Sequence, residues 1–201
     1  SFSSSYKMND ALTVSSTVNY ITTEAKGRYG TGYDNRNPNQ SFRQWYQTST
    51  SMSEQKNAYE ATGKNLSWNP YGSLDPSRAG DPHYFDNYYF NAYENYTTDS
   101  RNRAFGNIQL DYKINEALSI TGRLSTDRYS ELQEERIAKG SIDVSSYQRY
   151  ERSFHENNID LFANYNKYFG KVNFSALAGA NIRRSATSSI SSITNGGLFV
   201  P

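Results

Sequence analysis

From Asp99 to Asp127 the chain reads DSRNRAFGNIQLDYKINEALSITGRLSTD, and its side chains alternate in character. Ala104, Gly106, Ile108, Leu110, Tyr112 and Ile114 hold the even positions, while Arg103, Asn107, Gln109, Asp111 and Lys113 hold the odd ones. Only an extended strand puts every second residue on one face, so a period of two sustained this long predicts a strand with one apolar side. Beyond Asn115-Glu116-Ala117 the alternation resumes, with Leu118, Ile120, Gly122 and Leu124 against Ser119, Thr121, Arg123, Ser125 and Asp127. Directly opposed residues of a hairpin share a face, and both apolar sets are even-numbered, so the turn must hold an odd number of residues. A three-residue turn, Asn115 to Ala117, pairs Ile114 with Leu118, Ile108 with Leu124, and Gln109 with Arg123. It also sets Asp111 diagonal to Arg123 and Arg103 diagonal to Asp127, opposite charges within cross-strand reach. The polar face is thus paired internally and need not be a ligand site.

The same reading gives six strands, at about 2–6, 11–23, 102–114, 118–128, 156–166 and 171–184. Ile159, Leu161, Ala163 and Tyr165 are odd, whereas Val172, Phe174, Ala176, Ala178, Ala180 and Ile182 are even, so the turn near Lys167 to Gly170 should hold two or four residues. The remaining connections are long: 24–101, 129–155 and 185–201. The first is dense in Gly, Asn, Asp, Pro and aromatics and predicts one helix, capped by Asn39 or Ser41, with Phe42, Trp45 and Tyr46 at one-turn spacing, running toward Ala61. Short turns therefore alternate with long connections along the whole chain.

Composition decides what such strands can build. Only 35% of the 201 residues are hydrophobic, against 18 Tyr and 10 Phe, which is poor material for a two-sided core. Half-apolar strands, abundant aromatics and long loops at one end suit an all-β, antiparallel transmembrane barrel, with an apolar band facing lipid and a polar interior. A soluble sandwich has no reason to gather its long loops at one end, and disorder would not sustain alternation. No apolar run approaches the length of a membrane helix, so any spanning is by strands. A net charge of +1 gives no electrostatic reason to expect nucleic acid, and the absence of Cys removes thiol chemistry. The opening residues, SFSSSYKMND, are not a signal peptide and read as a strand already under way.

The runs GRYGTGYDNRNPNQSFRQW (Gly27 to Trp45), YENYTTDSRNRAFGN (Tyr93 to Asn107), LQEERIAKGSIDV (Leu132 to Val144) and NIRRSATSSISSITNGGLFVP (Asn181 to Pro201) resemble the corresponding parts of SusC/RagA-type TonB-linked outer-membrane proteins. The resemblance spans nearly the whole chain. It implies a large plugged barrel in the bacterial outer membrane that imports oligosaccharides or peptides, driven through TonB, with a SusD-like lipoprotein over its extracellular mouth. The plug and the TonB-contacting region of that family would lie upstream of Ser1, and six strands cannot close a barrel of the roughly 22-strand type.

On that view Arg103, Asn107, Gln109, Asp111, Arg123 and Asp127 face the lumen or plug, and Ile108, Leu110, Ile120, Leu124, Phe174 and Ile182 face lipid. Trp68, Tyr71, Tyr84, Tyr88 and Tyr89 are candidate substrate contacts, since rings beside Asn and Asp side chains can stack on sugars and hydrogen-bond to them. The competing reading is that these rings hold the loop together or form an interfacial girdle. Asp75, Asp81 and Asp86 lack the spacing of a calcium loop and read as turn chemistry. His83 and His155 carry no metal or triad pattern, and Glu131, Glu134 and Glu135 read as a solvated charged loop, so neither a metal, a cofactor nor an enzyme is expected. The alternative function is a non-transporting outer-membrane adhesin or glycan-binding β-protein.

Overall fold

The computed structural model describes residues 1–30 and 36–199. Of the stretches that carry the family resemblance, residues 31–35 and 200–201 lie outside this range. Six strands form one antiparallel, unclosed sheet in sequence order: β1 (Phe2–Lys7), β2 (Leu12–Lys26), β3 (Tyr96–Lys113), β4 (Leu118–Ile137), β5 (Ser146–Phe169) and β6 (Val172–Ile193).

Parity sets the register as expected. Ile114 N–H donates to Leu118 O at 3.0 Å, and the turn is closed by Asn115, whose Oδ1 accepts from the N–H groups of Ala117 and Leu118, both at 2.9 Å. Asn9 does the same work between β1 and β2, accepting from Ala11 and Leu12. The β5–β6 turn holds two residues, Gly170 and Lys171, and Gly170 adopts φ 64°, a left-handed conformation that costs a glycine little.

The strands are longer than the alternation of polarity indicated. β4 runs to Ile137, β5 begins at Ser146 and β6 continues to Ile193. The expected loop 129–155 therefore narrows to residues 138–145, and the connection expected from 185 starts only after Ile193. The cause lies in the side chains: in these extensions polar or charged residues stand on both faces, so the backbone stays extended while the contrast that revealed it disappears.

Two compact units divide the chain. The first comprises Ser1–Thr23, Arg101–Glu131 and Arg152–Ser189, and bears the apolar sheet face. Ile108, Leu124, Ile159 and Ile182 lie side by side on its strands and are 53%, 49%, 52% and 57% exposed. Among the described residues of this unit no second layer covers them. Among the described residues the buried hydrophobics are Phe90 and Ala138, both in the second unit.

The second unit comprises Glu24–Ser100, Leu132–Glu151 and the chain from Ile190. Instead of one helix its described residues form three α-helices, α1 (Pro38–Trp45), α2 (Met52–Thr62) and α3 (Tyr88–Glu94), and two short 3-10 turns at Gly72–Leu74 and Pro76–Arg78. The cap of α1 is Asn37, not Asn39 or Ser41; its Oδ1 accepts from Gln40 N–H at 3.1 Å and Pro38 takes the first helical position. Helix continuity fails across the poor helix formers Thr48-Ser49-Thr50, and Ser51 caps α2 by accepting from Glu54 N–H at 3.2 Å. Asn87 caps α3 through Tyr89 and Phe90.

Candidate functional site

The polar face of the first unit is a row of hydrogen-bonded charges. Arg103 grips Asp127 with both arms of the guanidinium, Nε to Oδ1 at 2.9 Å and Nη2 to Oδ2 at 2.5 Å, and lies 4.7 Å from the ring centroid of Phe105. Asp111 accepts from Thr121 Oγ1 at 2.6 Å and from Gln109 Nε2 at 2.8 Å. Arg123 does not meet Asp111; it turns to β5 and binds Asp160 Oδ2 at 2.9 Å, while Asp160 Oδ1 accepts from Asn181 at 2.6 Å. Beside the Arg103–Asp127 pair is a shallow cavity of about 250 Å³ lined by Asn19, Asn107, Ser125 and Glu156 among others. Asn19 and Asn107 make no side-chain hydrogen bond among the described residues, so this cavity offers free amides next to a paired charge, a setting for hydroxyl-rich or peptide groups.

In the second unit the organising side chain is Asp86, which is no turn residue but a buried hub. Its Oδ1 accepts from Asn65 Nδ2 at 2.7 Å and Ile142 N–H at 2.9 Å; its Oδ2 accepts from Ser141 Oγ at 2.5 Å and Asn95 Nδ2 at 3.3 Å. Asn65 also donates to Gly140 O, Asn95 Oδ1 accepts from Ala138 N–H, and Asn87 Nδ2 reaches the carbonyls of Gln55 and Leu66. The 138–145 connection is thereby fixed to the long loop that carries α2 and α3. Asp75 and Asp81 behave as turn chemistry should: Asp75 accepts from Ser77 N–H and Oγ, bonds that hold its carboxyl below the usual carboxylate range, and Asp81 pairs with Arg78.

The glutamates expected in a solvated loop are strand residues with partners. Glu131 is buried against Arg101 at 3.1 Å, Glu134 accepts from Tyr147 Oη, and Glu135 binds Arg36 at 3.1 Å.

The candidate rings differ in what they leave free. Trp68 stacks on Phe85 at 6.2 Å, and Phe85 stacks in turn on Trp45 at 6.1 Å. Tyr71 is occupied by the Arg78 guanidinium at 4.1 Å and by the His83 ring at 4.4 Å. Tyr88 donates to Asn39 Oδ1 at 2.8 Å and packs edge-on against Tyr89, which stacks with Tyr93 and so joins Tyr59. Tyr84 also packs against the His83 ring, centroids 3.8 Å apart, yet at 63% exposure it is the most exposed of the five. Phe42, Trp45 and Tyr93 are also exposed; one-turn spacing in a polar helix was the signal available for the first two. Burial pushes the Tyr46 phenol well above its ordinary range, with Asp86 and Tyr88 adding to the effect, and Tyr59 is pushed up to about 12 by burial and by its hydrogen bond to Glu94 at 2.8 Å.

No family model and no curated protein matches the chain.

Proposed function

We propose that this chain is an arc of a larger outer-membrane β-barrel that imports nutrients, oligosaccharides or peptides, as a TonB-dependent receptor of SusC/RagA type working with a SusD-like lipoprotein. What carries this reading is the uncovered apolar face set against the hydrogen-bonded polar face of the same strands. Apolar surface of that extent is unfavourable in water and stable against hydrocarbon. Leu118 to Arg128, at about 3.3 Å per residue and a tilt of about 40°, rises about 25 Å, the height of a barrel's apolar band. The ion pairs Arg103–Asp127 and Arg123–Asp160 then line the interior, and the loop unit offers the exposed rings of Tyr84, Trp45 and Tyr93 for contact with ligand.

The test is growth of cells lacking the gene on oligosaccharides or peptides as sole nutrient. Loss of growth on one such class, with growth on free monosaccharides or amino acids intact, is the expected result. Unchanged uptake combined with loss of ligand binding at the cell surface would replace import by the adhesin reading.

A further inference from the structure

Charge is segregated between the two faces of the first unit. Every Asp and Glu on its strands, namely Asp111, Asp127, Glu131, Glu156 and Asp160, belongs to the polar face, and the apolar face carries none. Cations are not segregated in the same way. Arg101, Arg103, Arg123 and Arg183 belong to the polar face and each binds a carboxylate. Arg128 in β4 and Arg184 in β6 share the face of Leu124 and Ile182, are exposed, and form no ion pair among the described residues. The pairing of Ala117 with Asn166 and of Asp160 with Asn181 carries Arg128 opposite His155 and Arg184 opposite Asn157, so no acid adjoins either. Both arginines lie just past the last complete apolar row, Ile108–Leu124–Ile159–Ile182.

Resting on the membrane reading above, we propose that Arg128 and Arg184 form a binding site for anionic phosphate headgroups of membrane lipid, at the edge of the apolar band farther from the short turns. An arginine inside hydrocarbon would be costly, but one at the band's edge can lay its stem along the apolar surface and put the guanidinium at headgroup level. There its planar fork matches a phosphate with two parallel hydrogen bonds. Two unpaired guanidinia on a face free of carboxylates have the charge complement of that ligand, and an attached lipid tail would continue onto Leu124 and Ile182.

The test uses the intact protein in phosphatidylcholine bilayers containing spin-labelled phosphatidylglycerol or spin-labelled phosphatidylcholine, and reads the relative affinity from the immobilised fraction. The wild type should prefer phosphatidylglycerol, with each arginine contributing a factor of about five. R128Q/R184Q should bring the two lipids close to parity, R128K/R184K should keep most of the preference, and R78Q, in an exposed loop, should leave it unchanged. A wild type that inserts but shows no preference, or a preference that survives R128Q/R184Q, overturns this inference alone. Loss of a co-purifying acidic protein in R128Q/R184Q, without any lipid preference in the wild type, would overturn it in favour of a protein partner. Failure of the wild type to enter either bilayer overturns the membrane reading as well.

Discussion

At the scale of single residues, Asp86 and Leu110 make the sharpest claims. Removing the Asp86 carboxylate leaves the Ile142 N–H, the Ser141 hydroxyl and the Asn65 and Asn95 amides facing an empty acceptor position in a buried site. D86A should therefore cost about 3 kcal/mol or more, visible as faster amide exchange at residues 138–142, and ordinary exchange there would refute the hub. Leu110 tests the facing of the sheet: on the proposed barrel reading, L110R in the intact protein should cost about 2 to 4 kcal/mol of stability in the membrane, and Q109R, one residue away, far less. Equal assembly of the two in outer membranes would reverse the assigned faces. Tyr59 gives a pH dependence. Its folded value of about 12 exceeds the usual value near 10, so its contribution is fully present below pH 10 and is lost as pH rises through 12. Phenolate absorbance of Y59F should lack one transition near pH 12 that the parent shows. Legibility differed between these residues. Arg103–Asp127 followed from parity within one hairpin, whereas Arg123 found its acid on β5, because hairpin parity constrains only one of a strand's two neighbours. Asp86 gave no local signal, since its partners come from residues far apart in the chain.

At the scale of elements, β2 and β3 depend on Gly106. A Cβ there would stand 2.2 Å from the carbonyl oxygen of Thr17 and 3.1 Å from Val18 Cα, and backbone cannot move aside as a side chain can. G106A should therefore destabilise the β2–β3 pairing by about 1 to 3 kcal/mol, while G122A, with nothing within 4 Å of its Cβ, should be tolerated. Comparing the temperatures at which the two variants unfold from micelles checks this. The ends of strands were legible only while one face stayed apolar. The stretch from Arg128 to Ile137 is as extended as Leu118 to Asp127, but its charges fall on both faces and hide the period. The spacing of Phe42, Trp45 and Tyr46 predicts a single helix and starts it at Asn39 or Ser41. The actual caps, Asn37-Pro38 for α1 and Ser51-x-x-Glu54 for α2, are short signals in a stretch already rich in Asn and Ser, and α3, with Tyr or Phe at most of its positions, offers no polar face to reveal it.

At the scale of the molecule, an open six-stranded sheet has an unpaired edge on β1 and another on β6 in addition to its bare apolar face. These 201 residues expressed alone should aggregate in buffer and disperse in detergent micelles; monodispersity in buffer by light scattering would count against the membrane reading. The loop unit, by contrast, is tied together by polar side chains rather than by a hydrophobic core. Within it the excursion between Pro70 and Pro82 closes upon itself, with Tyr71 N–H on Asp81 O at 3.0 Å and Gly72 N–H on Ala79 O at 3.3 Å, and its crest at Ser73 and Leu74 is exposed. That crest is a natural attachment point. An epitope or fluorophore spliced in after Ser73 would ride outside the Asp86 clamp and report where the protein resides on a living cell, whereas the same graft within 138–145 would tear the clamp apart.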